Sequence, residues 1–421
     1  MPESSKPRSQ TILVVGGGIS GITTALEAAE AGHDVVILEK APTLGGRVAQ
    51  FNRYFPKLCH PTCGLEINFQ RIRKNAQVTV LTMSTVAAIQ GERGDYTVTV
   101  RQTPRYVKAN CTACGDCANI TTIKIPNPFD YGLGATKAAY LPHEMAFPMR
   151  YVIAPQLIGT HAADEAMAAC KYHAINLDEK ESAFNLHVGS IVFATGWQPY
   201  DASRISPYRY ASLKDVITNV EMERLAAHNG PTNGRILRPS NGREPKNVAL
   251  IQCAGSRDHN HLAYCSRICC LASMKHTAYL REQYSDVRVD IYYIDIRAHD
   301  KLEAFYRKVV NDSQVRMIKS KPAEIKIGAD GEPVVCGENT LTREIYAESY
   351  DLVVLATGMQ PAHSLDKSLI KVEMDDYGFI VPEDDGKGIF SAGVASGPLD
   401  VSMSVQSATA AALKAIQAVV H

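Results

Sequence analysis

The sequence holds 11 cysteines, and eight of them fall into two groups. In CAGSRDHNHLAYCSRICC, Cys253, Cys265, Cys269 and Cys270 lie close together in the chain. Thiolates are soft ligands, and four of them suit an iron–sulfur cluster or zinc. The adjacent pair Cys269–Cys270 is unlike the C-x-x-C of a zinc knuckle. That favours iron–sulfur over zinc or buried thiols. Cys111, Cys114 and Cys117 form C-x-x-C-x-x-C, the spacing of the first three ligands in a bacterial ferredoxin run. The fourth ligand would fall at Thr121, and Thr122 stands where proline usually follows. Cys170, in ACKYHAINLD, could complete the four. The alternative is an empty or three-coordinate motif. Cys59 and Cys63, in FPKLCHPTCGLE, read as a redox-active dithiol, as extra ligands or as small buried hydrophobes. His60, His259 and His261 read as polar loop residues, and Cys336 as structural.

A second chemistry sits near the start of the chain. Gly16, Gly18 and Gly21 form G-x-G-x-x-G in TILVVGGGISGITTALEAAEAGHDVVILE. Gly16 allows a tight turn, Gly18 lets a pyrophosphate approach the backbone, and Gly21 lets helix and strand pack. The anion would rest on the N–H groups of the following helix. Glu39 ends the next strand, where a carboxylate holds ribose hydroxyls and repels a 2′-phosphate. Gly45, Gly46 and Arg47 follow. A GG-R here is similar to a flavoprotein continuation, with Arg47 near the pyrophosphate; the bland reading is a solvated surface arginine.

These residues need a frame, and the hydrophobic pattern supplies one. Ile12–Val15 reads as a strand, Ile22, Ala25, Leu26 and Ala29 as one face of a helix that Gly32 ends, and Val35–Leu38 as a second strand. IVFATG at 191–196, VALIQCAG at 248–255 and LVVLATG at 352–358 are further strands that run into glycine. The fold class is therefore α/β with Rossmann-type units; the arrangement resembles a thioredoxin reductase-like flavoprotein with two dinucleotide-binding domains and an inserted ferredoxin-like piece. The expected boundaries are 1–100 and 181–240 for the first two parts of the FAD-binding domain and 101–180 for the insertion. Residues 241–370 form a second Rossmann-like domain, and 371–421 the C-terminal part of the first. The stretch 228–247, rich in Gly, Pro and Asn, reads as the inter-domain connection. The loop after the strand at 248–253 holds only Gly255, so the second domain should not bind a pyridine nucleotide.

Composition narrows the partners. Lys plus Arg is 44 and Asp plus Glu is 44, so there is no bulk charge to coat nucleic acid. MPESSKPRSQ has no apolar leader, and no run of 18 apolar residues occurs. These features give a cytoplasmic expectation, in which thiols stay reduced and serve metals or redox chemistry.

The glycine-rich start, the inserted cysteine run and CAGSRD…YCSRICC together resemble the heterodisulfide reductase A-like family. GGRVAQFNRYFPKLCHPTCGLEINFQRI, KAAYLPHEMAFPMRYV and NGPTNGRILRPS resemble its branch in the quinone-interacting membrane-bound oxidoreductases of sulfate-reducing organisms. The resemblance implies FAD at Gly16–Glu39, with Lys40, Gly46, Arg47, Val86, Thr195 and Gly196 as further contacts. Such flavoproteins place Asp after a late strand-end glycine. Here FSAGVAS has Val394, so the backbone of Gly393 and Val394 is the expected contact. The resemblance also implies a 4Fe–4S cluster on Cys253, Cys265, Cys269 and Cys270. It implies partners: a second flavo-iron–sulfur protein, a haem b membrane protein and adenylylsulfate reductase, supplied from menaquinol. The chain would then sit at the inner face of the cytoplasmic membrane through those partners. It leaves electron bifurcation unassigned.

Three functions compete on this sequence. An electron-transfer component uses the flavin and clusters as a relay. A pyridine-nucleotide-linked disulfide or sulfur reductase uses Cys59 and Cys63, against the degenerate second loop. A scaffold keeps the fold without cofactors, against two ligand sets and a full glycine fingerprint.

Overall fold

The computed structural model describes residues 9–55, 57–362, 372–381 and 386–420. The first eight residues, part of the stretch read as lacking a leader, lie outside the described residues.

The chain opens with strand β1 (Ile12–Val15), buried along its whole length. A strand apolar on both faces belongs inside a parallel sheet. Helix α1 (Ile19–Glu30) follows, with Ile22, Ala25, Leu26 and Ala29 buried. Gly32 takes φ +98° just past its end, a left-handed stop that costs glycine little. Strand β2 (Val35–Glu39) then pairs with β1 in parallel. The full sheet runs Ile389–Ser391, Ser190–Phe193, β1, β2, Val78–Thr82, all parallel.

A second sheet repeats the plan. Helix α2 (Asn219–Ala226), strand β3 (Asn247–Ala254), helix α3 (Cys269–Gln283) and strand β4 (Arg288–Tyr293) build its centre. Its strand order is Val216–Thr218, Leu352–Thr357, β3, β4, Val315–Lys319, again parallel. Ile217, Met222, Leu225 and Ile236 already pack in this second core. The boundary expected at 240/241 is therefore misplaced: the second unit begins before residue 216, and 228–247 is a loop inside it. Gly, Pro and Asn shape a loop that returns within a domain as readily as a linker, so composition alone could not separate the two.

The inserted piece leaves from strand Asp95–Gln102 and returns into Ser182–Val188, which pair with each other antiparallel. Entry and exit are thus neighbours, and the host sheet is uninterrupted. The insertion has its own core, with Val107, Ile125, Ile153 and Leu157. Arg224 on α2 pins it down. Its fully buried guanidinium holds Asp130 at 2.8 Å and lies 4.6 Å from the ring of Phe129. Leaving one partner of such a pair unmatched typically costs about 3–5 kcal/mol. At the C-terminus, helix α4 (Val401–Val420) lays Ala408, Ala411 and Ala415 on the core that α1 covers. Among the described residues, no helix is long and apolar enough to cross a membrane.

Candidate functional site

The main cleft runs from the N-terminus of α1 to the wall formed by α2 and α3. At its first end a side chain is impossible at two glycines. A Cβ on Gly16 would lie 2.3 Å from the Ala194 carbonyl oxygen, and one on Gly21 only 1.8 Å from that of Gly16. These contacts hold α1 tight against β1. A Cβ on Gly18 would meet nothing closer than 3.9 Å, so space is open in front of the loop. No described side chain caps α1, and no acidic residue stands in its first turn. Its free N–H groups and dipole are left for an anion.

Glu39 is buried beside this loop. Its carboxylate accepts from Gly17 N at 2.6 Å and from Ala41 N at 2.7 Å. Burial pushes its pKa up, and the two N–H bonds pull against that. Lys40, Gly46, Arg47, Thr195, Gly196 and Val394 line the same cleft. Arg47 is not a solvated arginine: Nε donates to Trp197 O at 3.2 Å and Nη1 to Tyr131 Oη at 2.9 Å. Gly21 and Gly393 stand behind the lining, and a Cβ on Gly393 would meet Ser20 Oγ at 2.0 Å. The expected Val86 contact is absent from the cleft lining. Val86 packs instead with Val98, Val100 and Leu38 between the two sheets of the first domain.

The far wall has no counterpart among the residues singled out from the sequence. Ala272, Lys275 and His276 of α3, with Ile268 just before the helix, line the cleft together with Asn219 and Glu223 of α2. Glu223 accepts from Lys275 Nζ at 2.8 Å, contacts His276 Nε2 at 2.5 Å and accepts from Asn52 N at 3.0 Å. Burial pushes the Glu223 pKa up, but Lys275 and His276 outweigh it and hold the carboxyl at about 2. Burial lowers the pKa of His276 against the pull of Glu223. Its Nδ1 is buried without a partner among the described residues. Lys275 also donates to Arg53 O at 2.6 Å and sits 5.2 Å from the Phe51 ring. The sequence does carry a signal: a Lys–His pair inside an apolar helix needs a buried partner.

The first cysteine group adjoins this wall. Strand β3 shifts register between Ile251 and Ala254, and Cys253 takes φ +55° there. A bulge re-aims its side chain. Cys269 and Cys270 open α3, next to Ile268 of the cleft wall. Burial raises the Cys269 thiol well above its usual pKa, and Cys270, Cys253 and Cys265 add to the shift. Cys270 is pushed up to about 11, by burial first and then by Cys253 and Cys265 among its neighbours. The four sulfurs therefore share one neighbourhood, directly behind the cleft.

The second group forms in the insertion. Cys111, Cys114, Cys117 and Cys170 line one small pocket with Tyr151 and Tyr172. Cys117 is pushed up to about 11, by burial and then by Cys111, Cys170 and Cys114 among its neighbours. Ala174 N donates to Cys170 Sγ at 3.3 Å. Thr121, where a ferredoxin run has its fourth cysteine, is buried and donates to Cys117 O at 2.7 Å. Among the described residues, no three His, Cys, Asp or Glu side chains converge to hold a single metal ion. A single ion gathers its ligands into one tight shell. Four thiolates are the donor set of an iron–sulfur cluster, and the chemistry of both cysteine groups fits one.

Cys59 and Cys63 flank the start of helix Pro61–Lys74, half-buried and exposed respectively, and lie near Tyr54. Neither lines the cleft. His60 lines a small side pocket, His259 is exposed, and His261 Nδ1 lies 2.7 Å from Tyr200 Oη. Cys336 lies in the small antiparallel sheet of the second unit.

The family model for NAD(P)-binding Rossmann-like domains matches residues 14–77. The chain is 38% identical over 424 residues to the A component of the ferredoxin/F420H2-dependent CoB-CoM heterodisulfide reductase of Methanosarcina acetivorans, covering 97% of this chain and 53% of that protein. It is 37% identical over 420 residues to an iron–sulfur A component of the CoB–CoM heterodisulfide reductase of Methanopyrus kandleri, covering 96% of this chain and 64% of that one. The chain thus spans between about half and two-thirds of the length of these relatives. Among solved structures, thioredoxin reductase of Lactococcus lactis aligns with a TM-score of 0.53 and 14% identity, over 98% of this chain and 99% of that one. Thioredoxin reductase of T. acidophilum aligns with a TM-score of 0.52 and 14% identity, over 98% of this chain and 100% of that one. The fold is thioredoxin reductase-like, with two Rossmann domains.

Proposed function

We propose that this chain is the flavin and iron–sulfur electron-transfer component of a heterodisulfide reductase A-like oxidoreductase complex. One observation carries the reading. Helix α3 lines the cleft with Ala272, Lys275 and His276, Ile268 just before it lines the cleft too, and the helix's first two residues belong to a four-cysteine group. The same helix thus borders two sites, which is what a relay between them needs.

Bound FAD would supply exchange between electron pairs and single electrons, and 4Fe–4S clusters would supply single-electron transfer. The glycine loop and the N-terminus of α1 hold the pyrophosphate, and Glu39 holds the ribose while bracing the loop through Gly17 N. Arg47, fixed by Trp197 and Tyr131, presents positive charge at the cleft wall. Lys275 lies 2.8 Å from the Glu223 carboxylate, which its charge and His276 hold well below the usual carboxylate range. His276 offers its Nδ1, which is buried without a partner among the described residues. Phe51, Phe55 and Trp197 exclude water along the lining. Cys253, Cys265, Cys269 and Cys270 hold one cluster, and Cys111, Cys114, Cys117 and Cys170 a second.

The finer reading is the A component of a quinone-interacting membrane-bound oxidoreductase. It would link menaquinol to adenylylsulfate reductase through a second flavo-iron–sulfur protein and a haem b membrane protein, on the inner face of the membrane. It rests on the segments GGRVAQFNRYFPKLCHPTCGLEINFQRI, KAAYLPHEMAFPMRYV and NGPTNGRILRPS. The coarser alternative is a component of a soluble disulfide or sulfur oxidoreductase complex, the chemistry in the relatives' names.

Anaerobic purification followed by iron, sulfide and flavin assay tests the proposal. One FAD and about eight irons per chain are expected for two cubanes. Colourless protein without iron would overturn it. Co-purification with a haem b protein would favour the finer reading, and retention of all partners after membrane removal the coarser one.

A further inference from the structure

The second βαβ unit has an acid of its own. Asp295 stands two residues past the end of β4, much as Glu39 closes β2 in the first unit. That is the place where dinucleotide-binding folds keep the ribose acid. Here the carboxylate is already taken. Asp295 Oδ1 accepts from Arg257 Nη1 at 2.6 Å, and Arg297 Nε lies 3.6 Å from it. The Arg257 guanidinium is thereby fixed in the loop that joins Cys253 to Cys265. On the other side, Cys270 Sγ lies 3.8 Å from the Asp295 carbonyl oxygen.

The backbone around this contact is held in an unusual shape. Cys253 and Arg257 both take φ +55°, and Arg267, between Cys265 and Cys269, takes φ +67°. Non-glycine residues keep such angles only where their surroundings over-determine them. The loop that would carry a nicotinamide phosphate in a related fold here holds a guanidinium among the cysteines, on Asp295.

We infer that Arg257, clamped by Asp295, is a positioning residue that raises the reduction potential of the centre held by Cys253, Cys265, Cys269 and Cys270. The inference rests on the proposed function, since it requires a cluster at those thiolates. Reduction adds one electron to an already anionic centre. No bond forms or breaks, and the guanidinium keeps its proton throughout. A cation fixed beside the ligand cysteines stabilises the added charge, one of the levers that sets cluster potentials. The insertion's group has different surroundings: Val107, Asp116, Tyr151, Tyr172 and Ile175 line its pocket, with Asp116 paired to Lys171 at 3.2 Å, and no arginine lines it. The two centres should therefore differ in potential, and only one should answer to Arg257.

The experiment is an anaerobic dithionite titration of the purified holoprotein, followed by electron paramagnetic resonance. Wild type, Arg257→Gln, Arg257→Lys and Cys253→Ser are compared, with iron and sulfide assayed in each. Arg257→Gln should keep its iron and shift one of two signals to more negative potential, leaving the other unmoved. Arg257→Lys, which keeps the charge but not the planar fork, should shift the same signal less. An unmoved midpoint in Arg257→Gln with iron intact overturns the inference. If Arg257→Gln fails to assemble, Arg257→Lys decides: a midpoint equal to wild type overturns it, and a more negative one supports it. Cys253→Ser that loses no iron would instead overturn the cluster reading beneath it.

Discussion

The two βαβ units of this chain share a frame and differ in their loops. In each, a buried strand feeds a helix and a second parallel strand pairs beside the first. In each, an acid stands at or just past the end of the second strand. In the first unit the loop is glycine, the helix N-terminus is left uncapped, and Glu39 accepts from the loop's own Gly17 N–H. In the second unit the strand bulges at Cys253, Gly255 stands alone, the helix starts on Cys269–Cys270, and Asp295 is taken by Arg257. The frame is fixed by apolar packing of strand on helix. The ligand class is fixed by a handful of loop residues, which present either N–H donors to an anion or thiolates to a metal.

The largest effect expected from breaking this contrast is at Gly21. A Cβ there would sit 1.8 Å from Gly16 O, so Gly21→Val forces α1 off β1. The purified variant should lack flavin absorbance altogether while the insertion keeps its iron. Flavin retained at wild-type level would mean that α1 does not need this contact. Next comes the cysteine loop. Cys265→Ser should lose one cluster's iron and keep FAD; flavin loss with unchanged iron would contradict the assignment of Cys265.

The wall between the units should respond more modestly. Glu223→Gln leaves Lys275 and His276 buried without their counter-charge. Denaturant unfolding should show a loss of about 3–5 kcal/mol. A loss well under 1 kcal/mol would mean that this cluster is hydrated.

A smaller effect is set by pH. Burial holds His143 at about 4, below its usual 6.5, so between those values the unfolded chain binds more protons. Stability contributed by neutral His143 is therefore present above pH 6.5 and lost as pH falls towards about 4. Thermal melts across that window should fall with pH. His143→Phe, which can keep the stack on Phe129, should flatten the slope. An unchanged slope would shift the cause to other groups.

The smallest effect is expected where no contrast exists. Cys63 is exposed and lies outside the cleft lining, so Cys63→Ser should leave flavin, iron and melting temperature as they were. NADH added anaerobically should not bleach the flavin of either protein. Rapid bleaching that disappears in Cys63→Ser would revive the pyridine-nucleotide reductase.

The sequence made the frame legible because parallel strands announce themselves as short apolar runs ending in glycine. It made both cysteine sets legible because thiols are rare and their spacing is chemical. It also brought Cys170 into question on the phrase ACKYHAINLD, and the fold lines it up with Cys111, Cys114 and Cys117 in one pocket. The far wall of the cleft was not legible as a site. Glu223 and Lys275 are 52 positions apart and meet only when α2 and α3 pack. Val86 departs from expectation because alternation along a strand does not say which sheet its apolar face will meet. The domain boundary failed for a similar reason: strand Val216–Thr218 is three residues long, and only its parallel partner Leu352–Thr357 shows where it belongs.

The most direct measurement is an iron anomalous-difference map from anaerobically grown crystals. The account predicts a compact iron peak enclosed by Cys253, Cys265, Cys269 and Cys270, behind the wall that Ile268 and Ala272 form. Four free thiols there with no iron signal, in protein that still carries flavin, would contradict it.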